Sequence, residues 1–143
     1  MVLSQTAEYA LRAMASLATV PDGRPARASD LSRATGIPSH YLSKILRRLV
    51  IADLLVSQKG QGGGFSLARP PEDIRFIDIL VAVDGLPQQD RCAFGWGDCN
   101  DTHPCPLHES WSKLSDHLHA WARENTLAGL ADAERAAEAR PGG

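Results

Sequence analysis

The feature that most constrains the fold is a pair of amphipathic helical segments with only Gly36-Ile37-Pro38 between them. The first segment is predicted from about Ser29 to Thr35, with Ser29 as its N-cap and with Leu31 and Ala34 facing the core. The second is predicted from about Ser39 to Ala52, and its core face contains Leu42, Ile45, Leu46 and Leu49. Two helices joined by a short turn that contains glycine are typical of a helix-turn-helix.

The spacing of apolar residues changes after the second segment and predicts a β-hairpin. Leu54–Ser57 and Phe65–Ala68 have the composition of short strands, and Gln58–Gly64 between them is glycine-rich and basic. A hairpin directly after a helix-turn-helix is typical of a winged helix. The glycine run is not a dinucleotide-binding loop, because the fingerprint that begins at Gly60 requires glycine where Phe65 stands.

The remaining pattern completes a mainly α fold with a small β-hairpin wing. Apolar spacing predicts a first helix from Leu3 to Ala18, a fourth from Ile74 to Val83 and a fifth that begins near Pro106. A final short helical stretch is predicted to start at Asn125-Thr126. The core-facing stripe of the fourth helix is expected to contain Ile77, Leu80 and Val81. We predict a winged-helix DNA-binding domain over 1–85, a cysteine-containing cluster-binding loop over 86–105, a dimerisation helix and short C-terminal helix over 106–135 and a flexible tail over 136–143.

The fifth helix carries apolar residues at alternating steps of four and three: Leu107, Trp111, Leu114, Leu118 and Trp121. A period of about 3.5 residues is that of a helix packed along another helix. The core of a single domain can show the same pattern. Its position after the winged helix favours a dimer interface, formed by Trp111, Leu114, Leu118 and Trp121.

Positive charge is concentrated in the predicted winged helix. The whole chain has a formal net charge of −2, but Arg24 to Arg69 holds eight basic and two acidic residues, a net +6. Such a distribution is expected of a surface that binds nucleic-acid phosphates, although a solvated face without a partner is the alternative.

The second helix of the helix-turn-helix would be the recognition helix, which lies in the major groove of DNA. We expect its first turns to contact base edges and phosphates and the two arginines farther along to contact phosphates. Polar residues on the wing would reach the adjacent minor groove or its backbone. The candidate DNA contacts are Ser39, His40, Tyr41, Ser43, Lys44, Arg47, Arg48, Lys59 and Gln61.

Three cysteines occur within one short stretch and nowhere else. Six residues separate Cys92 from Cys99, five separate Cys99 from Cys105 and two separate Cys105 from His108. An odd number of cysteines without a secretory signal argues against a disulfide framework and indicates metal binding. An iron–sulfur cluster suits thiolates on a glycine-rich loop. Zinc is an alternative, although zinc ligands usually come as Cys-x2-Cys pairs, and three inert cysteines are another.

Other classes of protein are disfavoured. No stretch approaches the roughly 18 apolar residues of a membrane span, and Met1–Ser4 lack the features of a secretion signal. We therefore expect a cytoplasmic protein with no membrane contact. No nucleophile elbow, paired-carboxylate site or phosphate loop occurs, so an enzyme is not expected.

The chain resembles the IscR/NsrR-type iron–sulfur winged-helix transcriptional regulators (the Rrf-two family) over nearly its whole length. The matching motifs are Glu8–Arg12, Ile37–Leu49, Gly60–Phe65 and Ile79–Gly85. The resemblance implies a homodimer that binds inverted-repeat promoter DNA and changes affinity when an iron–sulfur cluster is gained, lost, oxidised or nitrosylated. A repressor without a cluster, which senses by cysteine oxidation or a small ligand, is the alternative.

The resemblance also implies the ligands, namely the three cysteines and one other residue. In the iron–sulfur-biogenesis type this residue is a histidine three positions after the last cysteine, which His108 matches, and the cluster is 2Fe-2S. In the nitric-oxide-sensing type it is a carboxylate on the first helix of the partner subunit, which Glu8 matches, and the cluster is typically 4Fe-4S. We favour His108 and a 2Fe-2S cluster, because a short segment joins His108 to Cys105, whereas Glu8 can pair with Arg12 at i,i+4.

Overall fold

Six helices and one β-hairpin make up the residues that the structure, a computed structural model, describes: 3–86 and 106–138. The predicted class, mainly α with a β-hairpin wing after a helix-turn-helix, is confirmed. No helix within these two ranges is long and apolar enough to cross a bilayer. The elements are α1 (Gln5–Ala18), α2 (Ala28–Thr35), α3 (Ser39–Ile51), β1 (Leu55–Gln58), β2 (Gly64–Leu67), α4 (Phe76–Ala82), α5 (His108–Glu124) and α6 (Leu127–Glu138), with single 3₁₀ turns at Pro21–Gly23 and Pro71–Asp73.

The first helix, α1, lies at the centre of the core. Ser4 caps its N-terminus, because Ser4 Oγ accepts a hydrogen bond from Ala7 N at 3.1 Å. The helix packs against α2, α3, α4, α6 and β2. Four of its side chains have no exposed surface: Ala7, Ala10, Ala13 and Met14. Since alanine side chains are short, the neighbouring helices can lie close to α1.

The helix-turn-helix consists of α2 and α3 in the predicted order. Gly36 ends α2 in the left-handed conformation (φ 74°), and Gly36 N donates a hydrogen bond to Ser32 O at 2.9 Å. The predicted core face of α3 is confirmed, since none of its four residues is more than 4% exposed: Leu42, Ile45, Leu46 and Leu49.

The start of α2 differs from the prediction. Ser29 is not the N-cap, because the helix begins one residue earlier and Arg27 is the last extended residue (φ −76°, ψ 151°). Arg27 directly follows Ala26, which pairs with Phe65 of the wing. Of the two residues predicted to face inward, Leu31 is buried but Ala34 is exposed.

The second strand of the wing pairs on both of its sides. Gln58 in β1 lies opposite Gly64 in β2. β1 begins one residue later and β2 one residue earlier than predicted. Ala26 N donates to Phe65 O at 2.9 Å, and Phe65 N donates to Ala26 O at 2.8 Å. These bonds hold the wing against the chain that enters the helix-turn-helix.

The fourth helix is tied at its N-terminal end to the connection between α5 and α6. Phe76 N donates to Asn125 O at 3.0 Å, and Leu127 N donates to Ile74 O at 2.7 Å. The predicted stripe of α4 is wrong in part, because Val81 is 62% exposed. The helix buries a different set of residues against the core: Phe76, Ile79 and Leu80.

The bounds of the two C-terminal helices also differ from the predicted bounds. α5 begins at His108, two residues after the predicted start. α6 has 12 residues rather than one short stretch, and it continues to Glu138 into the predicted tail. Residues 139–143 of that tail lie outside the described residues.

The predicted apolar stripe of α5 is largely uncovered. Leu107, Leu114 and Trp121 are 49%, 54% and 38% exposed, and Trp111 and Leu118 are half-buried. The residues that α5 does bury are Ser115, His119 and Ala122. The stripe is therefore not the face that α5 buries most deeply within the chain.

Replacement of Gly64 by alanine should destabilise the wing. Gly64 has φ +141°, and an added Cβ would lie 2.5 Å from Ala26 O. We expect the free energy of unfolding to fall by about 1–3 kcal/mol in urea at a fixed protein concentration. The control is Gly129→Ala in α6, where the nearest atom of the described residues to an added Cβ is Thr126 Oγ1 at 3.9 Å. That change should raise the free energy of unfolding by up to about 1 kcal/mol. A Gly64→Ala protein as stable as wild type would contradict the pairing of Ala26 with the wing.

Candidate nucleic-acid interface and metal ligands

The first two turns of α3 form an exposed polar surface. His40, Tyr41 and Lys44 are exposed, and the ring centroids of His40 and Tyr41 are 4.4 Å apart. The first turn of α3 contains no acidic residue. Within residues 3–86 and 106–138, neither His40 nor Lys44 has a hydrogen-bond or ion-pair partner. Both side chains are therefore available to a ligand.

The serine hydroxyls of the same region are already bonded within the helix-turn-helix. Ser43 Oγ donates to Ser39 O at 2.9 Å, and Ser39 Oγ donates to Ser32 Oγ at 3.3 Å. Ser32 Oγ in turn donates to Ile37 O at 2.6 Å. In this conformation Ser39 and Ser43 stabilise the turn and the start of α3, and their hydroxyls must rotate before they can donate to DNA.

The first helix adds Tyr9 to this surface, a residue that the sequence pattern did not single out as a DNA contact. The ring of Tyr9 meets that of Tyr41 edge-on, with centroids 6.4 Å apart and an interplanar angle of 62°. Gln5 Nε2 donates to Tyr9 Oη at 3.0 Å. Gln5 and Tyr9 are one turn apart on α1, but their spacing alone does not show which helix they face.

The arginines predicted to contact phosphates are both exposed and differ in one hydrogen bond. Arg47 has no hydrogen-bond or ion-pair partner among the described residues. Arg48 Nη1 donates to Val83 O at 3.4 Å, at the C-terminal end of α4. On the wing, Lys59 and Gln61 are both exposed.

Little of this positive charge is neutralised locally. Arg33 Nη2 lies 2.7 Å from Asp30 Oδ1. This is the one ion pair that the described residues form between Arg24 and Arg69. Both side chains are more than half exposed, so water and salt screen the pair. Lys44, Arg47 and Lys59 therefore have no ion-pair partner in the described part of the chain.

Most of the predicted metal ligands lie outside the described residues. Cys92, Cys99 and Cys105 all lie between residues 86 and 106, outside the described ranges. His108 is the first residue of α5 and Glu8 lies in the first turn of α1, and both are half-buried. Among residues 3–86 and 106–138, no group of three or more His, Cys, Asp and Glu side chains is placed to hold a metal ion.

Glu8 borders an apolar groove of about 500 Å³ that α1, α4, α5 and α6 line. Arg12, one turn later, borders the same groove, but its guanidinium donates to Thr35 O at the end of α2. The ion pair between Glu8 and Arg12 that their spacing suggested is absent, and Glu8 has no ion-pair partner in the described part of the chain. The Glu8 carboxylate is therefore not neutralised by Arg12.

A comparison with protein families agrees with this architecture. The model of the Rrf2 family, described as iron-dependent transcriptional regulators, matches residues 3–133. The chain belongs to the Rrf2 family. The resemblance inferred from the motifs is therefore confirmed.

Relatives of known sequence match most of this Rrf2 regulator. An HTH-type transcriptional regulator of Mycobacterium tuberculosis is 38% identical over 132 residues, which cover 92% of this chain and 81% of the relative. The transcriptional regulator IscR of Escherichia coli is 32% identical over 130 residues, which cover 91% of this chain and 80% of IscR.

Solved structures confirm the fold of the Rrf2 regulator. T. potens IscR matches with a TM-score of 0.74 and 27% identity, over 93% of this chain and 88% of that one. CymR, the global cysteine regulator of B. subtilis, matches with a TM-score of 0.75 and 23% identity, over 90% and 95% of the two chains. These relatives are transcription regulators rather than enzymes, and the chain is a winged-helix regulator of the same kind.

Proposed function

We propose that this Rrf2 regulator is a homodimer that binds inverted-repeat promoter DNA with an affinity set by an iron–sulfur cluster. The donor set carries the proposal: three thiolates, Cys92, Cys99 and Cys105, and the imidazole of His108. Thiolate and imidazole are both ligands of iron in such clusters, so the donors fit the group. The description of the family as iron-dependent and the 32% identity to E. coli IscR support the same conclusion.

The position of His108 connects the cluster to the predicted dimer interface. His108 begins α5, and the uncovered apolar stripe lies farther along the same helix. When bound, the cluster would supply reversible one-electron chemistry, through which the regulator responds to redox state, iron supply or nitric oxide. His108 would hold the cluster at one end of α5, so a change at the ligand acts on the helix that forms the dimer.

DNA binding is assigned to α3 and the wing. The first turns of α3 would lie in the major groove, where His40 and Lys44 contact base edges and Tyr41 contacts a phosphate. Lys59 and Gln61 would contact the adjacent minor groove. A two-fold dimer presents two such surfaces, which is why the expected site is an inverted repeat.

Dimer formation would cover the stripe on α5. Leu114 and Trp121 are exposed large apolar residues, and the ring of Trp121 packs edge-on against Phe76 with centroids 5.2 Å apart. Trp121 and Phe76 also border the apolar groove described above. The stripe and the groove therefore meet, and together they form an apolar surface of the kind that marks a protein interface.

A charge in the stripe should separate the protomers. Leu114→Asp introduces a carboxylate at a site that is 54% exposed in the protomer, so the protomer should still fold. We expect a monomer by light scattering, because a dimer would have to bury the unpaired charge. The matched control is Ile51→Asp, at a residue that is 72% exposed at the end of α3, which should remain dimeric. A Leu114→Asp protein that stays dimeric would place the interface elsewhere.

The presence of a cluster is tested on protein purified without oxygen. We expect a coloured protein that contains iron and acid-labile sulfide in equal amounts, with absorbance lost on exposure to a chelator and oxidant. A colourless wild-type protein without sulfide would contradict cluster control and favour sensing by cysteine oxidation or a small ligand.

The fourth ligand is tested by two separate changes. We expect His108→Ala to alter the absorbance and Mössbauer spectra and to shorten the lifetime of the cluster, because imidazole is replaced by a weaker ligand or water. Glu8→Ala is the comparison and should leave the spectra unchanged. If the spectra respond to Glu8→Ala and not to His108→Ala, the ligand is the carboxylate on α1.

A further inference from the structure

Arg48 and Arg47 are adjacent in sequence and both exposed, but within the described ranges only Arg48 is bonded to another element. Arg48 lies in the last turn of α3, and its Nη1 donates to Val83 O at 3.4 Å. Val83 is the C-terminal cap of α4, where the helix dipole favours a positive charge. The guanidinium of Arg48 thus joins the recognition helix to the end of α4.

The chain that leaves α4 is held on a second side by α1. Asp84 adopts a left-handed conformation (φ 53°), and Gly85 N donates to Leu80 O at 2.7 Å. A Cβ at Gly85 would lie 2.8 Å from Ala7 Cβ, so only glycine fits against α1 there. Cys92 follows seven residues later. The end of α4 and the two residues after it are therefore held by both α1 and α3.

The other end of α4 is fixed to the C-terminal helices. The backbone bonds of Phe76 and Leu127 described above join the start of α4 to the connection between α5 and α6. Since α4 has only seven residues, a displacement at one end is transmitted to the other with little bending. The helix links the end of α5 to the exit point of the cysteine segment, and Arg48 continues that link to α3.

We propose that Arg48 is a positioning residue that couples the cysteine segment to the recognition helix, rather than a phosphate contact. The inference rests on the proposed function, because it gives the cluster a route to the DNA-binding surface. For coupling, the bond between Arg48 and Val83 must differ between the cluster-loaded and cluster-free forms, since only a differential interaction shifts an equilibrium. Loss of the bond then removes the influence of the cluster without removing a contact to DNA.

The test compares Arg48→Met with Arg47→Met, its neighbour on the same helix. Each change keeps an unbranched side chain and removes one cation. Affinity for one inverted-repeat duplex is measured at several salt concentrations, with cluster-loaded and with cluster-free protein. The two readouts are the slope of log affinity against log salt and the ratio of the dissociation constants of the two forms.

We expect Arg48→Met to leave the salt slope unchanged and to bring the ratio close to one. Arg47→Met should lower the slope by about one per protomer in both forms and leave the ratio unchanged. Arg48→Lys retains a cation near the end of α4, so the ratio of dissociation constants should lie between one and its wild-type value. Thermal unfolding of each variant verifies that it is folded.

Two results would overturn the proposal. One is an Arg48→Met slope as low as that of Arg47→Met, which would make Arg48 a phosphate contact. The other is an unchanged slope with the wild-type ratio, which would show that Arg48 does not carry the coupling. A wild-type protein that binds no cluster contradicts the proposed function instead, and the salt slope of that protein still decides whether Arg48 contacts DNA.

Discussion

The burial of α1 is the constraint on which the rest of the structure depends. Ala7, Ala10, Ala13 and Met14 have no exposed surface, and α1 contacts α2, α3, α4, α6 and β2. Because three of these residues are alanines, whose side chain is a single methyl group, the surrounding elements pack close to the helix axis. A larger residue at any of the three would displace several elements together. One helix therefore sets the arrangement of the helix-turn-helix, α4 and the C-terminal helix.

Three further side chains of α1 contact or border other parts of the molecule. Tyr9 meets Tyr41 on α3, Arg12 donates to Thr35 O at the end of α2, and Glu8 borders the apolar groove. A shift of α1 would consequently change the start of α3 and the groove together. The fourth helix supplies a second connection, since both of its ends are bonded to other elements. Packed elements bonded at both ends are one means by which a change at one site can reach another.

The helix-turn-helix and the wing can be predicted from the sequence because their signals are local. Gly36 takes a left-handed conformation that ends α2, and apolar spacing identifies the buried face of α3. The bond from Arg48 cannot be predicted in this way, since Val83 lies 35 residues away and its acceptor is a backbone oxygen that every residue has. Periodicity predicts the stripe on α5, but it does not show whether the same chain or a partner covers it. The cysteines were found by their spacing and lie outside the described residues.

The proposed control of DNA affinity by an iron–sulfur cluster is tested most directly by one anaerobic titration. A labelled duplex, selected from random sequences for the tightest binding, is titrated with cluster-loaded protein and with cluster-free protein at the same salt concentration. We expect dissociation constants that differ by about 5- to 150-fold, the usual range for coupling between two sites. Equal dissociation constants, for two preparations of verified iron and sulfide content, would contradict control by the cluster.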